Sequence, residues 1–147
     1  MKTVIEFPIK EVISLIKESP ETSSIYVGCD SLQKKDYTDF ITVVVIHYGS
    51  NNGGTFRHTK VRENRRLSIR ERLWKEVELV SAIALEIADH IGKRRFEVHL
   101  DLSQDSVNKS NVILKEAAGY ISALGFDVAV KPNAFAASAV ADRVVRK

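Results

Sequence analysis

The sequence predicts an α/β protein with a mixed five-stranded sheet, in which three antiparallel strands are followed by parallel strands. Two observations predict this fold. Three strand-like runs between residues 25 and 61, the middle one the most β-branched in the chain, are separated only by short polar turns. After residue 68, helical segments alternate with short strand-like runs, the pattern of parallel strands joined by helical crossovers. The expected order, after an N-terminal helix, is β-β-β-α-β-α-β-α.

The first half of the chain supplies the N-terminal helix and the three antiparallel strands. Residues 9–18 carry an apolar stripe at helical spacing, and Pro20 follows the end of that helix. Residues 49–54 are rich in turn formers and predict a hairpin between the second and third strands. We therefore expect strands over residues 25–30, 40–48 and 55–61.

The second half alternates helices and strands. Ser68 with Glu71 three residues later predicts a capping box at the start of a long helix, and Gly92 is the expected end. A helix over 108–124 and a final helix over 134–145 are expected, with strands at 96–102 and 126–130. The expected inner face of the long helix is Leu73, Val77, Val80, Ala84, Ile87 and Ile91. On or near the inner face of the next helix we expect Val112, Ala117 or Glu116, Tyr120, Ile121 and Leu124.

Composition limits the class of protein. The chain has 147 residues, of which 44% are hydrophobic and 28% charged, as in soluble globular proteins. We expect one domain over 1–147, with residues 1–20 as an N-terminal helical extension. No apolar run approaches the roughly 20 residues of a membrane helix, and a single cysteine excludes an internal disulfide. These features predict a cytoplasmic protein that does not enter membranes.

Positive charge is clustered, although the formal net charge is only +3. Residues 62–72 contain five arginines, among them Arg65, Arg66 and Arg70. Such clusters bind phosphate backbones through counterion release, so these arginines are candidate nucleic-acid contacts, as is Lys131 before Pro132. From charge alone, a solvated surface explains the clusters equally well.

Two aspartates lie at the ends of apolar strands that should be parallel to each other. Asp30 ends the run 25–30, and Asp101 lies in the run 96–102. In open sheets of this type, sites form at the carboxyl ends of parallel strands. An acid beside an apolar run requires water, pairing or a metal. Asp30 is therefore the first candidate ligand of a magnesium-dependent site that cuts nucleic acid.

The order of these elements and acids resembles the ribonuclease H-like superfamily. More narrowly, the stretches IYVGCDS, RERLWKEVEL, HLDL and KPNAFAASAVADR are similar to the YkuK-type predicted nucleases of that superfamily. The likeness extends from about residue 24 to the end of the chain. It implies a ribonuclease H-like fold, and by prediction a nuclease activity.

The resemblance also implies which acids are catalytic and hold metal. They are an aspartate ending the first strand, a glutamate on the following helix, an aspartate after the fourth strand and an acid in the last helix. Asp30, Asp101 and Asp142 fill three of these places. For the glutamate, the KEVEL wording favours Glu76, whereas ELVSAIAL after Glu78 resembles the sequence that follows the ribonuclease H glutamate. Helical geometry leaves both open, because they lie about 100° to either side of Val77.

The implied chemistry is hydrolysis of phosphodiester bonds with two Mg²⁺ or Mn²⁺ ions. Two ions about 4 Å apart stabilise both the attacking and the leaving oxygen, and magnesium prefers oxygen ligands. The implied partner is a nucleic acid, whether RNA, DNA or a hybrid. The alternative is a non-catalytic module that binds nucleic acid on the same fold, since fold does not guarantee function.

Overall fold

The structure, a computed structural model, describes residues 7–49, 53–100 and 107–130, with the side chains of 107–111 left undescribed. It contains three α-helices and five strands in these ranges. The helices are α1 (Ile9–Glu18), α2 (Ile69–Ile87) and α3 (Val107–Ala123). The strands are β1 (Ser24–Gln33), β2 (Thr38–His47), β3 (Gly54–Glu63), β4 (Arg95–Leu100) and β5 (Asp127–Val130).

The five strands form one sheet in the order β3-β2-β1-β4-β5. The pairs β1–β2 and β2–β3 are antiparallel, and β1–β4 and β4–β5 are parallel. This confirms the predicted mixed sheet of a ribonuclease H-like α/β fold. Strand β1 is longer than expected because its polar end, Ser31–Gln33, stays paired with Thr38–Phe40 of β2.

The helices pack on one face of the sheet, and α2 contacts β1, β4, β2 and α3. Every second residue of β1, namely Ile25, Val27 and Cys29, faces this core. The predicted inner face of α2 is confirmed by burial, since every member is at most 6% exposed: Leu73, Val77, Val80, Ala84, Ile87 and Ile91.

Both ends of α2 are determined by local sequence. Its start has the predicted capping box: the Ser68 hydroxyl accepts the Glu71 backbone N–H, and the Glu71 carboxylate accepts the Ser68 N–H. Its end is earlier than predicted. The α-helix ends at Ile87 and tightens into a 3₁₀ turn over Ala88–His90, and Gly92 adopts its positive φ of 62° in the turn that follows.

The prediction for the inner face of α3 was partly wrong. Among the described side chains of this helix, those of Ile113, Leu114, Ala117 and Ile121 are buried, whereas Val112 is 57% exposed and Tyr120 50% exposed. The buried stripe runs along 113, 117 and 121, one residue away from the predicted line through 112 and 120. Leu124, at 36% exposure, lies beyond the helix end.

Some expectations fall outside the described residues. They are the final helix over 134–145 and the last two residues of the strand expected at 96–102. No helix within the described part of the chain is long and apolar enough to cross a membrane.

Candidate metal and nucleic-acid site

Asp30 lies near the carboxyl end of β1, on the sheet face opposite the helices. Cys29, one residue earlier, is buried in the core beneath the helices, and side chains alternate along a strand. Asp30 is half-buried, and its Oδ1 accepts the Ser31 backbone N–H at 3.0 Å. Across the antiparallel ladders it is aligned with Ile41 of β2 and then with Lys60 of β3.

Within the described residues, the parallel pairs between β1 and β4 extend as far as Cys29 with Leu100, and Asp30 is the next residue of β1. We call the end of β1 at Asp30 and Ser31, together with the α2 residues that contact it, the notch.

Glu76 reaches the same strand end from the other face. It lies near the middle of α2, and it is only 2% exposed. The Ser31 hydroxyl donates to Glu76 Oε2 at 2.7 Å. The side chains of Asp30 and Glu76 thus lie on opposite faces of the sheet. Ser31 contacts both, because its backbone N–H donates to Asp30 and its hydroxyl donates to Glu76.

The Cys29 thiol, next to Asp30 in β1, is affected by both carboxylates. Burial raises the pKa of the Cys29 thiol well above its usual value, Glu76 raises the pKa further, and Asp30 adds to the effect. The Cys29 side chain itself is 1% exposed and accepts a weak bond from the Thr42 hydroxyl at 3.7 Å. Its surroundings therefore keep the thiol protonated, and its place in the core is as expected for a small buried residue.

Glu78 lies in a different environment from Glu76. Its side chain is 46% exposed, and its nearest ionic partner is Lys75 at 3.9 Å. A pair of this kind, three residues apart on a helix surface, contributes little to stability. Helical geometry leaves Glu76 and Glu78 equivalent about Val77, but the packing of α2 buries Glu76 and leaves Glu78 in solvent.

Arg72 is a functional candidate that the sequence reasoning missed. Its Nε donates to Ser31 Oγ at 3.1 Å, and its Nη2 donates to the Ser31 carbonyl oxygen at 3.3 Å. Arg72 and Glu76 are four residues apart on α2, so they share one side of the helix. The four-residue spacing of Arg72 and Glu76, together with Ser31 next to Asp30, was the feature of the sequence that could have indicated Arg72.

The predicted nucleic-acid arginines are not equivalent. Arg65 pairs with Glu71 at 2.8 Å and with Glu63 at 3.5 Å, and Arg70 pairs with Glu116 at 3.6 Å. Arg66 has no acidic partner among the described residues, and its Nη1 donates to the Lys34 carbonyl oxygen at 2.9 Å.

Arg66 therefore joins the β3–α2 loop to the turn between β1 and β2. Lys34 and Lys35 of that turn are exposed and likewise have no acidic partner within the described ranges. We call Lys34, Lys35 and Arg66 the basic rim.

Gln33 holds the two loops of the basic rim together. Its Nε2 donates to the carbonyl oxygens of Lys34 and Tyr37, and its Oε1 accepts from the Thr38 hydroxyl and the Leu67 backbone N–H. Because both polar atoms are used inside the protein, Gln33 is structural here. It lies two residues from Ser31, so it places the basic rim next to the notch.

Three predicted site residues lie outside the described residues. They are Asp101, Asp142 and Lys131. Within the part of the chain that the structure describes, no three His, Cys, Asp or Glu side chains form a group that could hold a metal ion. The described portion of the candidate site consists of two carboxylates, Asp30 and Glu76, with Ser31 and Arg72 beside them.

Comparison with known proteins identifies the family. The model of the family described as Ribonuclease H-like matches residues 8–146. This chain belongs to the ribonuclease H-like family. It is also 27% identical to the uncharacterised protein YkuK of Bacillus subtilis (strain 168), over 90% of this chain and 86% of that protein. No solved structure matched the chain. The resemblance inferred from the sequence is thus confirmed. Membership of this family implies a nuclease-type fold.

Proposed function

We propose that this protein is a divalent-metal-dependent nuclease that hydrolyses phosphodiester bonds of a nucleic acid at the notch. The observation that carries the proposal is that Ser31, at the end of β1, hydrogen-bonds both to Asp30 and to the buried Glu76, on a fold whose family typically uses divalent metals. A carboxylate that is 2% exposed requires compensation for its reduced hydration. A divalent cation beside it contributes such compensation.

The chemistry of the described donors fits Mg²⁺ or Mn²⁺. Carboxylate oxygens are hard ligands, and magnesium is held by a few of them while keeping several waters. Within the described chain, the only cysteine has its thiol kept protonated by burial. We propose Asp30, Glu76, Asp101 and Asp142 as the residues that would hold the metal.

Each described residue then has a task at the notch. Asp30 presents its carboxylate at the end of β1, on the sheet face opposite α2. Glu76 contributes a second carboxylate held by the Ser31 hydroxyl. When bound, the two ions would activate a water and stabilise the attacking and leaving oxygens. Glu78 is not included, because its carboxylate is in solvent beside Lys75.

The basic rim is the proposed contact for the phosphate backbone. Its three cations lack intramolecular acidic partners among the described residues, whereas Arg65 and Arg70 each pair with glutamate. A cation already paired with a carboxylate gains less from a phosphate. Of the predicted arginines we therefore propose Arg66 as the main contact, and Lys131 stays a prediction.

A cleavage assay tests the activity. Purified protein is incubated with RNA, RNA–DNA hybrid, duplex DNA and single-stranded DNA, with Mg²⁺, with Mn²⁺ or with EDTA. We expect cleavage of at least one substrate that requires metal and that Asp30→Asn abolishes. Cleavage that survives in Asp30→Asn would contradict the assignment. Salt-dependent binding to nucleic acid without cleavage under any divalent metal would instead favour the non-catalytic binding module.

A further inference from the structure

We propose that Arg72, acting through Ser31, is a positioning residue that fixes the orientation of the Glu76 carboxylate for metal binding. The inference deepens the proposed function and rests on Glu76 being a metal ligand. It concerns two side chains that do not themselves need to touch metal or substrate. Their contribution is the direction in which the Glu76 oxygens point.

The direction of the hydrogen bonds follows from the groups involved. An arginine can only donate, so the 3.1 Å contact between Arg72 Nε and Ser31 Oγ uses a lone pair of the serine oxygen. The Ser31 hydroxyl donates its single proton to Glu76 Oε2 at 2.7 Å. The bonds therefore run from Arg72 to Ser31 to Glu76, and the bond from the charged guanidinium is stronger than one between neutral groups.

A second bond anchors the guanidinium to the backbone of β1. Arg72 Nη2 donates to the Ser31 carbonyl oxygen at 3.3 Å, so the side chain contacts the same residue at two points. This pair of bonds ties the first half of α2 to the strand end that carries Asp30. The spacing between the two candidate ligands is thereby coupled to the Arg72–Ser31 contact.

Orientation matters here because a glutamate side chain has three rotatable torsions, whereas magnesium requires near-ideal octahedral geometry. Groups that hydrogen-bond to a metal ligand orient it, and their removal typically lowers metal affinity or activity by about 10–100-fold. The Ser31 hydroxyl makes a bond of this kind to Glu76 Oε2, and Arg72 in turn holds the serine oxygen.

The chain contains a matched arrangement far from the notch. Arg94 donates from Nε to Ser19 Oγ at 3.0 Å and from Nη2 to the Ser19 carbonyl oxygen at 2.7 Å. The Ser19 hydroxyl, however, donates to the backbone carbonyl of Ile16 at 2.6 Å rather than to a carboxylate. Substitutions at this second arginine–serine pair reproduce the structural cost of removing such a pair without disturbing a candidate ligand.

Calorimetric titration of the full chain with Mn²⁺, in the absence of nucleic acid, tests the proposal. We expect Ser31→Ala and Arg72→Ala to weaken Mn²⁺ affinity by about 10–100-fold. Ser31→Thr, which retains the hydroxyl, should bind Mn²⁺ within about threefold of the wild type. Ser19→Ala and Arg94→Ala should lower thermal stability to a similar extent and leave Mn²⁺ affinity unchanged.

The outcomes separate this inference from the proposed function. If Asp30→Asn loses Mn²⁺ binding but Ser31→Ala binds like the wild type, the positioning role is overturned and the metal site stands. If the wild type binds no Mn²⁺ at the notch, both are overturned. If Arg72→Ala does not fold, the contrast between Ser31→Ala and Ser31→Thr decides: equal Mn²⁺ affinities in these two variants contradict the proposal.

Discussion

Ser31 is the residue on which the candidate site depends most directly. It follows Asp30 in the strand, donates its hydroxyl to Glu76 and accepts a bond from Arg72. Strand alternation alone places its side chain on the face opposite that of Asp30. Because Cys29 lies in the core, alternation accounts for Ser31 facing a helix, but the identity of the helix residue beside it depends on how α2 packs.

At the residue scale, the first prediction contrasts the two candidate glutamates. Glu76→Gln keeps the shape and the hydrogen-bond acceptor for Ser31 but removes a metal-binding charge. We expect metal-dependent cleavage to fall by at least about 100-fold. Glu78→Gln is the matched control on the same helix, and we expect a change of less than about twofold. Equal decreases in the two variants would show that burial does not identify the ligand.

The second residue-scale prediction concerns the pH dependence of stability. Hydrogen bonds from Arg62 lower the pKa of Asp39 most strongly, and Lys60 lowers it further. The carboxylate is bound by Arg62 through two oxygens, at 2.7 and 3.1 Å, and its side chain is 5% exposed. A depressed pKa in the folded state means that the stabilisation is complete above the unfolded pKa of about 4 and is lost as the pH falls through the folded pKa.

Asp39→Asn should therefore lower the free energy of unfolding by about 1–3 kcal/mol at pH 7. The difference from the wild type should stay constant down to about pH 5 and shrink below about pH 4. Urea unfolding at about pH 7, 4 and 3 measures it. A difference that does not change over this range would contradict the assigned role of Asp39.

At the scale of elements, the predictions that succeeded are those with local causes. The capping box of α2 uses only Ser68 and Glu71, and both bonds are present as predicted. The stripe from Leu73 to Ile87 is long and regular, so its inner face was clear from periodicity. The end of α2 was harder, because Ala88–His90 continues with a tighter 3₁₀ winding that composition does not distinguish from α-helix.

Helix α3 shows why a short stripe is ambiguous. Apolar residues occupy 112, 113, 114, 120 and 121, so two adjacent lines along the helix were possible from the sequence. Packing against α2 and β5 buries the line through Ile113 and Ile121. Trp74 of α2 contacts Tyr120 edge to face, with ring centroids 6.0 Å apart, while Tyr120 stays half exposed.

The prediction for α3 is that substitutions on the buried line and on the exposed line of this helix change the free energy of unfolding by different amounts. Ile121→Ala removes a side chain that is 0% exposed and should cost about 2–5 kcal/mol. Val112→Ala, at a position 57% exposed, should change the free energy of unfolding by less than about 0.5 kcal/mol. Thermal or denaturant unfolding measures both, and similar costs at 112 and 121 would contradict the observed packing.

At the scale of the whole molecule, strand topology explains how distant residues form one site. Asp30 and Glu76 are far apart in the sequence, and both contact Ser31 because β1 is central in the sheet and α2 packs on it. The position of Asp30 at the carboxyl end of β1 could be anticipated, because sites form at the carboxyl ends of parallel strands in sheets of this type. The preference for Arg66 over Arg65 and Arg70 could not be anticipated, because it depends on which arginines lie next to a glutamate in the folded protein.

The basic rim leads to a prediction about salt dependence. Lys34→Ala/Lys35→Ala should weaken nucleic-acid binding and reduce the slope of log affinity against log salt, by about one for each phosphate that the variant no longer neutralises. Lys17→Ala/Lys93→Ala removes the same charge at exposed positions away from the notch and should leave the slope unchanged. Equal reductions in both double variants would show that the attraction comes from overall charge rather than from the rim.

The most direct test of the central claim is a crystal structure of the protein grown or soaked with Mn²⁺, analysed by anomalous scattering. The proposed site predicts an anomalous peak at the notch, with carboxylate oxygens of Asp30 and Glu76 about 2.0–2.3 Å from manganese. Asp101 or Asp142 should complete the coordination. A fully occupied manganese ion bound elsewhere, with Asp30 and Glu76 both outside its coordination sphere, would contradict the account.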